Sequence, residues 1–248
     1  LGGEKTGGQV LFNGQEVYDL NAKEMRDMRT KMQIIFQDPF SSLSPRLPVG
    51  EIIGEAVREH NLVPKNEFND YIDQVMDDCG LQPYHKTRYP HEFSGGQRQR
   101  IGIARAIALK PKLLVCDEAV SALDVSVQSQ IVNLLLNLQR EMNLAIIFIA
   151  HDLSVVKHIS DRIAVMYLGR IVEIGSRRQV FETPQHSYTR QLMSAVPVAD
   201  PRLKKITEDL RFRPIPSPIH PSDHVAPPSV YREVAPGHLV LVDPVTHE

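Results

Sequence analysis

Asp117 and Glu118 are adjacent carboxylates whose type and position would suit metal binding or catalysis. They come directly after the apolar run Leu113–Cys116. A carboxylate at the end of such a run can hold Mg²⁺, usually through a water, and its neighbour can polarise an attacking water. The alternative is a strand that ends at two solvated acids, and the pair on its own favours that alternative.

The segment Ser94–Gln97 combines a helix cap with two glycines at the start of a strongly helical stretch. Ser94 and Gln97 have the S-x-x-Q spacing of a capping box. Gly95 and Gly96 cost helix stability, but they let a ligand come close to the backbone N–H groups of the first turn. Since helix N-termini attract anions, the segment predicts a phosphate site. An ordinary cap with incidental glycines is the alternative, and a lone S-G-G-Q would favour it.

Gln37 and His151 also follow apolar runs, which are Met32–Phe36 and Ala145–Ala150. In open parallel sheets the functional groups lie at the carboxyl ends of strands, so these side chains should converge with Glu118. Gln37 could orient a water or reach Mg²⁺, and His151 could contact a γ-phosphate or hold Glu118 in place. The alternatives are a surface amide and a histidine that is satisfied at a strand end.

Asp124 closes the short segment Ser121-Ala122-Leu123-Asp124, which follows Glu118 after a brief turn. An aspartate before a helical run is a preferred N-cap, so it could cap the helix that begins near Val125. The functional alternative is a loop that faces a second subunit.

The elements that must position these residues begin with strands that alternate with helices from Pro111 onward. Apolar strands in such an alternation imply an α/β fold whose parallel sheet is covered on both faces. The predicted strands are Leu113–Cys116, Ala145–Ala150, Arg162–Tyr167 and Arg170–Ile174, and the predicted helices are Val127–Met142 and Leu153–Ser160.

The chain before Pro111 reads as a hairpin, a helix, a strand and then a mostly helical region. The Asn13-Gly14 pair predicts a hairpin over residues 9–18, and prolines and serines predict a loop over residues 37–46. Asn21 is expected to cap a helix that runs to about Arg29. Met32–Phe36 is expected to be a buried strand, and the predicted helices after it are Gly50–Glu59, Asn66–Cys79 and Gly95–Lys110. This region indicates a helical subdomain inserted at about residues 38–110.

The composition narrows the class of protein. The 248 residues are 42% hydrophobic and carry a net charge of −2, so the chain can build a core and gives no electrostatic case for nucleic acid. Cys79 and Cys116 lie too far apart for a metal or redox motif, which favours a reducing compartment. No apolar run approaches the length that spans a membrane.

The motifs occur in the order of an ABC-transporter nucleotide-binding domain, which the chain resembles over about residues 8–175. They are similar to its Q-loop (Gln37), signature motif (Phe93–Gln97), Walker B motif (Leu113–Glu118), D-loop (Ser121–Asp124) and switch histidine (His151). More narrowly, residues 36–46 and 186–190, with Ala195-Val196-Pro197, resemble the ATPases of oligopeptide and dipeptide importers. Related importers of nickel and glutathione share that match, so the cargo stays open.

The resemblance implies a P-loop NTPase (RecA-like) core that binds ATP and Mg²⁺. Two such domains would sandwich two ATP molecules head to tail. The residues that would serve this chain's own nucleotide are Gln37, Asp117, Glu118 and His151, of which Glu118 and His151 are catalytic and Asp117 and Gln37 hold Mg²⁺ through water. The residues that would serve the nucleotide of the partner are Ser94, Gly95, Gly96 and Gln97, with Asp124 at the dimer-facing loop.

The resemblance also implies partners and a location. The chain would energise a peptide-type importer as a peripheral subunit at the cytoplasmic face of the plasma (inner) membrane. Its partners would be a second ABC ATPase subunit, the same or different, two transmembrane permease subunits and, indirectly, an extracytoplasmic substrate-binding protein. The alternative is a non-catalytic interaction subunit that offers its signature helix to a complete partner ATPase. A soluble ABC protein of the ribosome-associated or repair type is a further alternative, which the lack of basic character and of a coiled-coil insertion disfavours.

The 248 residues contain no G-x-x-x-x-G-K-[ST] pattern, the P-loop that cradles phosphates. Gly3-Glu4-Lys5-Thr6 echoes only its end, and Thr6 leads into a hairpin rather than a helix. In the family this loop lies upstream, so we expect an ATPase domain at residues 1–190 that is N-terminally truncated and also lacks the adjoining strand and helix. Whether the missing loop reflects a gene fragment stays open. We expect such a chain to expose apolar surface, to be poorly stable and to hydrolyse no ATP alone.

Residues 191–248 are predicted to be a Pro-rich C-terminal extension of the oligopeptide-transporter type. Eight of the eighteen prolines lie from Pro214 onward, and Pro214–Pro218 predicts an extended linker. Relatives often carry cysteines after such a stretch that hold an iron–sulfur cluster. No cysteine follows it here, so we expect no cluster.

Overall fold

The structure is a computed structural model that describes residues 7–194 and 229–242 of the chain. The chain divides into two compact units, Leu1–His151 and Asp152–Glu248, and each is described by itself. The predicted boundary at residue 190 stays a prediction.

The first unit opens with the predicted hairpin, which consists of β1 (Leu11–Phe12) and β2 (Gln15–Glu16). Asn13 and Gly14 have φ values of 50° and 79°, the two left-handed residues that a type I′ turn requires. Helix α1 (Ala22–Lys31) follows the predicted cap. The Asn21 side chain accepts hydrogen bonds from the N–H groups of Lys23 and Glu24 at 3.0 Å each, which confirms the helix start.

A three-stranded parallel sheet forms the base of the first unit. Its strands, in spatial order, are β3 (Met32–Ile35), β4 (Leu113–Asp117) and β5 (Ala145–Ile149). Register places Ile35, Cys116 and Phe148 side by side, and this face of the sheet is buried at Ile35 and Cys116. The predicted parallel sheet is thus confirmed.

The opposite face of this sheet corrects the expectation of a sheet covered on both sides. Ile34, Ile147 and Ile149 are 39%, 51% and 47% exposed among the residues described. Strand β3 is therefore half-buried rather than buried, because alternate side chains of a strand point to opposite faces and, among residues 7–194 and 229–242, only one face is well covered.

Helices fill the segment between β3 and β4. They are α2 (Pro39–Ser42), α3 (Val49–Glu59), α4 (Phe68–Asp78) and α5 (Gly95–Ile107). The predicted loop over residues 37–46 is wrong at α2. Asp38 caps this single turn by accepting from the Phe40 N–H at 2.8 Å, and Pro39 occupies the first helical position, where its fixed φ favours a helix.

Helix α5 is central to this unit and contacts α2, α3, α4 and β3. Its buried side chains include Ile101, Ile103 and Ile107, and the helices that it contacts contribute buried Ile53 (α3) and Ile72 (α4). Burial of each such side chain contributes about 1.5–3 kcal/mol. Burial of these side chains therefore stabilises α5, the helix that begins with the glycine-rich cap, along its length. Helix α6 (Val125–Met142) also contacts α5 and leads into β5.

The second unit contains a four-stranded antiparallel sheet in the order β6-β7-β9-β8. Its elements are α7 (Leu153–Ile159), β6 (Arg162–Tyr167), β7 (Arg170–Ser176), α8 (Arg177–Glu182), α9 (Ser187–Ser194), β8 (Tyr231–Ala235) and β9 (His238–Leu241). The sequence patterns predict β6 and β7 but not the hairpin β8–β9, so the extension is not wholly an extended arm. Pro214–Pro218 lies outside the described residues.

A buried carboxylate joins β9 to β7. Glu173 of β7 is 0% exposed and accepts hydrogen bonds from the N–H groups of Gln185 and His186, each at 2.9 Å. Its Oε1 also lies 2.7 Å from Nε2 of His238, which is 2% exposed. Because a buried carboxylate is tolerated only when its oxygens are satisfied, these contacts fix the hairpin on the sheet.

Candidate functional site

Glu118 lies at the carboxyl edge of the parallel sheet, one residue beyond β4. Its backbone has the left-handed φ of 46°, and its N–H donates to the Ile149 carbonyl at 3.0 Å. The Ser121 N–H and hydroxyl both donate to the Glu118 carbonyl, at 3.0 and 2.9 Å. These bonds fix Glu118 between the ends of β4 and β5.

The structure brings together three of the predicted site residues around one carboxylate oxygen. Nε2 of Gln37 donates to Oε2 of Glu118 at 2.7 Å, and Nδ1 of His151 lies 3.6 Å from the same oxygen. The first contact is a strong charge-assisted hydrogen bond, and the second is a longer electrostatic contact. We call Gln37, Glu118 and His151 the carboxylate cluster.

The carboxylate cluster is open to solvent, since the side chains of Glu118 and His151 are 30% and 68% exposed. A water can therefore reach Glu118, and a carboxylate in hydrogen-bond contact with a water can polarise it. Gln37 donates through its amide nitrogen, which leaves its amide oxygen for a water or a hydrated cation.

Asp117 ends β4 and lies in register with Ile149, on the half-exposed face of the sheet. Mg²⁺ takes one or two protein carboxylates and completes its octahedron with waters and phosphate oxygens. Asp117 and the free amide oxygen of Gln37 fit that donor set. Within residues 7–194 and 229–242, no group of three or more His, Cys, Asp or Glu side chains could hold a metal ion without such additional ligands.

The predicted capping box at the start of α5 is present. The Gln97 N–H donates to the Ser94 hydroxyl at 3.3 Å, and the Ser94 N–H donates to Oε1 of Gln97 at 3.1 Å. The N–H groups of Gly95 and Gly96 have no acceptor within the helix itself, because they belong to its first turn. Ser94 and Gly95 are exposed, so these donors remain accessible to an anion.

The two glycines of this turn have different surroundings. A Cβ built on Gly95 would lie 3.5 Å from the nearest atom, Cδ2 of Leu123, which is an ordinary contact. A Cβ built on Gly96 would lie 2.5 Å from Cγ1 of Val127 in α6, which is a clash. No sequence signal predicts this helix contact, since nothing in the periodicity pairs positions 96 and 127.

Asp124 occupies the N-cap position of α6, but its side chain makes no capping hydrogen bond. Its carbonyl accepts the first helical bond, from the Gln128 N–H at 2.8 Å, and the residue is exposed. The helix thus begins at the predicted residue with Asp124 at its N-cap, although without a side-chain capping bond, and the role at a dimer-facing loop stays a prediction. Among the described residues no hydrogen bond or ion pair joins Asp124 or Ser94–Gln97 to the carboxylate cluster.

Two arginines of α5 that the motif analysis did not single out hold the segment that follows Gln37. The Arg105 guanidinium donates to the Ser42 carbonyl, and the guanidinium of Arg98 lies 4.0 Å from the centroid of the Phe40 ring. Burial lowers the pKa of Arg105, an effect that nearby Glu55 opposes. A buried charge of this kind persists because it is hydrogen-bonded.

Comparison with known families gives two matches to this chain. The sequence model of the family described as "ABC transporter" matches residues 2–121. The model described as "Oligopeptide/dipeptide transporter, C-terminal region" matches residues 172–219. The two matches together cover more than half of the chain.

Curated relatives cover almost all of the chain. The "Glutathione import ATP-binding protein GsiA" of Salmonella paratyphi A is 53% identical over 237 residues, which is 96% of this chain and 38% of the relative. The protein of the same name from Escherichia coli (strain K12) is 52% identical over 238 residues, with the same shares. The chain thus spans 38% of the length of these relatives.

Solved structures match the fold. CbiO1 of Clostridium perfringens, described as part of the ABC transporter complex cbiONQ, has a TM-score of 0.64 and 29% identity, with 72% of this chain and 70% of that chain covered. A dimeric post-hydrolysis state of the ATP-binding cassette MJ0796, bound to ADP and Pi, has a TM-score of 0.62 and 26% identity, with 70% and 75% covered. The described part of this chain has no helix long and apolar enough to cross a membrane.

Proposed function

The chain belongs to the ABC transporter family of P-loop NTPases, in the branch with an oligopeptide/dipeptide transporter C-terminal region, and from this premise we propose that it is an ATP-binding subunit that energises an importer of peptide-type cargo. The observation that carries the proposal is the carboxylate cluster. Gln37 and His151, which are 114 residues apart in sequence, both address one oxygen of Glu118.

In the proposed reaction Glu118 is the general base that polarises the attacking water. Gln37 fixes the orientation of the Glu118 carboxylate through its 2.7 Å hydrogen bond, and His151 contacts the γ-phosphate and the same carboxylate. Asp117 and the amide oxygen of Gln37 would hold Mg²⁺ through water, and the ion would neutralise charge on the phosphates.

The cap of α5 serves the nucleotide of a second ABC ATPase subunit, identical or different. Ser94, Gly95, Gly96 and Gln97 form this half of the site, and Asp124 faces the partner. Support comes from the unbonded donors of the first turn and from the dimeric state described for the ATP-binding cassette MJ0796.

Further partners follow from the same proposal. They are two transmembrane permease subunits and, indirectly, an extracytoplasmic substrate-binding protein, with the chain peripheral at the cytoplasmic face of the inner membrane. The relatives named for glutathione import favour a short peptide as cargo, since glutathione is itself a tripeptide, and nickel is the alternative.

The first test concerns hydrolysis by the 248-residue chain alone. We expect no phosphate release, because no G-x-x-x-x-G-K-[ST] loop is present to bind the phosphates. The measurement is malachite-green detection of phosphate with ATP and Mg²⁺. Turnover at rates typical of a complete ABC ATPase would refute this part of the proposal.

The second test separates an active subunit from the non-catalytic alternative. The chain is mixed with an ABC ATPase subunit that carries a P-loop, and phosphate release is measured. Gly95→Asp should abolish any stimulation, because its carboxylate would face the phosphates of the partner's nucleotide, while its Cβ has room. Intact turnover in Glu118→Gln would favour the non-catalytic alternative, in which the chain contributes only its signature helix, whereas a loss of turnover would show that its own site hydrolyses ATP.

The catalytic role of Glu118 is then tested in a chain joined to a P-loop segment. There Glu118→Gln should lower turnover by at least about a hundredfold while nucleotide binding persists, since loss of a general base costs about that much. Retained turnover would move the base to another residue.

A further inference from the structure

The first turns of α5 and α6 lie against each other, a contact that no motif of the sequence predicts. Gly96 is the second residue of α5, and Val127 is the third residue of α6. A Cβ at position 96 would lie 2.5 Å from Cγ1 and 3.8 Å from Cβ of Val127. The backbone of α5 therefore passes directly over this valine.

Val127 cannot easily move out of the way. A valine in a helix has one strongly preferred χ1 rotamer, so its Cγ1 is not a flexible chain end. The start of α6 is itself tied down, because Nε2 of Gln128 donates to the Leu123 carbonyl at 3.0 Å. One turn further along, the Arg100 guanidinium reaches Oε1 of Gln130 at 3.4 Å and adds a second link between the helices.

Gly95 provides the comparison within the same turn. It is exposed, and a Cβ there would meet only Leu123, at 3.5 Å. A Cβ atom therefore fits at position 95, whereas at position 96 there is room only for glycine. The freedom of approach that both glycines give a ligand does not explain this difference.

We propose that Val127 is a positioning residue that sets the height of the Ser94–Gln97 turn on α6, and that Gly96 is needed for this packing as well as for the approach of a nucleotide. The functional half of this inference rests on the proposed function. A bulkier residue at position 96 would lift the turn and move its donors away from the phosphates that they are proposed to bind.

The structural half is tested in the 248-residue chain without nucleotide. The variants are Gly96→Ala, Val127→Ala and the double substitution, with Gly95→Ala as the matched control. Alanine raises helix propensity at both glycine positions, so a loss of stability specific to Gly96→Ala must come from the clash. We expect Gly96→Ala to lower the thermal midpoint by about 3 °C or more.

Amide hydrogen exchange supplies the local readout. In Gly96→Ala we expect the Gln97 N–H, which bonds the Ser94 hydroxyl, to lose protection by about tenfold. The double variant should recover both the protection and the midpoint, because alanine at position 127 removes the Cγ1 atom. If Gly96→Ala does not fold but the double variant does, this outcome also counts as rescue and supports the inference. An unperturbed Gly96→Ala, or no rescue, overturns the inference.

The functional half is tested by phosphate release in the mixture with a P-loop-bearing ABC subunit. Gly96→Ala should lower turnover by about tenfold or more, and the double variant should restore it to within about threefold, with Val125→Ala, 78% exposed, as the neutral control. If the double variant recovers amide protection but not turnover, the positioning role of Val127 is wrong. If the unsubstituted chain gives no turnover in this mixture, the proposed function is refuted. The hydrogen-exchange result then still tests the packing of Gly96 on Val127.

Discussion

Glu118 combines the carboxylate proposed to polarise water with a backbone conformation that glutamate rarely adopts. Its φ of 46° places Cβ close to the following carbonyl oxygen, which costs about 1–2 kcal/mol. The bonds to Ser121 and Ile149 maintain this conformation. Backbone strain is commonly retained where it orients a functional group, and here it directs the side chain towards Gln37.

The strain at Glu118 predicts an unusual order of stabilities. Glu118→Gly and Glu118→Ala both remove the carboxylate and its bond to Gln37, but only glycine adopts a left-handed φ without cost. We expect the glycine variant to exceed the alanine variant by about 1 kcal/mol in free energy of unfolding, measured by urea denaturation. In an unstrained loop the alanine variant would be more stable than the glycine variant. That result would contradict the inferred backbone strain at Glu118.

His85 offers a test by pH. It is 6% exposed, its Nδ1 accepts from the Gln82 N–H at 3.0 Å, and its ring packs edge-on against Phe93 with centroids 5.0 Å apart. Burial lowers the pKa of His85 in the folded chain, and Arg88 adds to this effect. Protonation would also cost the bond from Gln82, so the folded state disfavours the charged ring.

The sign of the pH effect follows from the lowered pKa of His85. The unfolded chain binds the proton near pH 6.5 and the folded chain only at lower pH, so stability is complete above about 6.5 and falls as pH decreases through the folded pKa. We expect the thermal midpoint to fall between pH 7 and pH 5, and less so in His85→Asn. The half-buried His60→Gln is the control. An equal fall in both variants would remove His85 as the cause.

At the scale of elements, one buried carboxylate adds a side-chain link to the strand pairing that joins the hairpin β8–β9 to β7. Glu173 accepts from two N–H groups of the turn before α9 and contacts His238 of β9. We expect Glu173→Gln to lower the free energy of unfolding of the second unit by about 3 kcal/mol, because an amide NH₂ would face buried donors. Urea denaturation measures the loss.

Glu182→Gln is the matched control for Glu173→Gln. Glu182 pairs with Arg178 at 2.9 Å, but both side chains are well exposed, at 62% and 86%. Such a surface ion pair contributes about 0–1 kcal/mol. Similar losses in the two variants would mean that the buried contacts do not fix the hairpin.

Elements with strong local signals were predictable from the sequence, and those that depend on distant contacts were not. The Asn13-Gly14 turn, the Asn21 cap and the Ser94 cap each specify a boundary within a few residues, and all three are present. Strand β9 pairs with β7, which lies more than fifty residues earlier, so no local pattern predicts that pairing, and β8 joins the sheet only through β9. The α2 turn was hidden by serines that normally indicate a loop.

The same limit applies to the candidate site. The strand-end rule predicts that Gln37, Glu118 and His151 converge, and the structure brings them together. The contact of Gly96 with Val127 could not be predicted, because it depends on how two helices cross rather than on the pattern within either. Their roles in catalysis and nucleotide binding stay predictions.

At the scale of the whole molecule, the exposed face of the parallel sheet leads us to expect association between chains. Ile34, Ile147 and Ile149 expose apolar surface on this face, and β3 and β5 are the outer strands of the sheet as described. Apolar surface beside unpaired strand edges promotes association between chains. The net charge of −2 offers little repulsion to oppose it.

This exposed face predicts which substitutions will improve solubility. Threonine keeps the β-branched shape that strands favour, so Ile147→Thr with Ile149→Thr should reduce aggregation and change the free energy of unfolding by less than about 0.5 kcal/mol. Light scattering of the purified chain at 25 °C and urea denaturation measure the two quantities.

Ile35→Thr is the matched control on the buried face, where Ile35 is 3% exposed, and it should cost about 1–3 kcal/mol without a gain in solubility. Unchanged scattering of the double variant would show that association proceeds through another surface, whereas a large loss of stability would show that the two isoleucines are covered in solution.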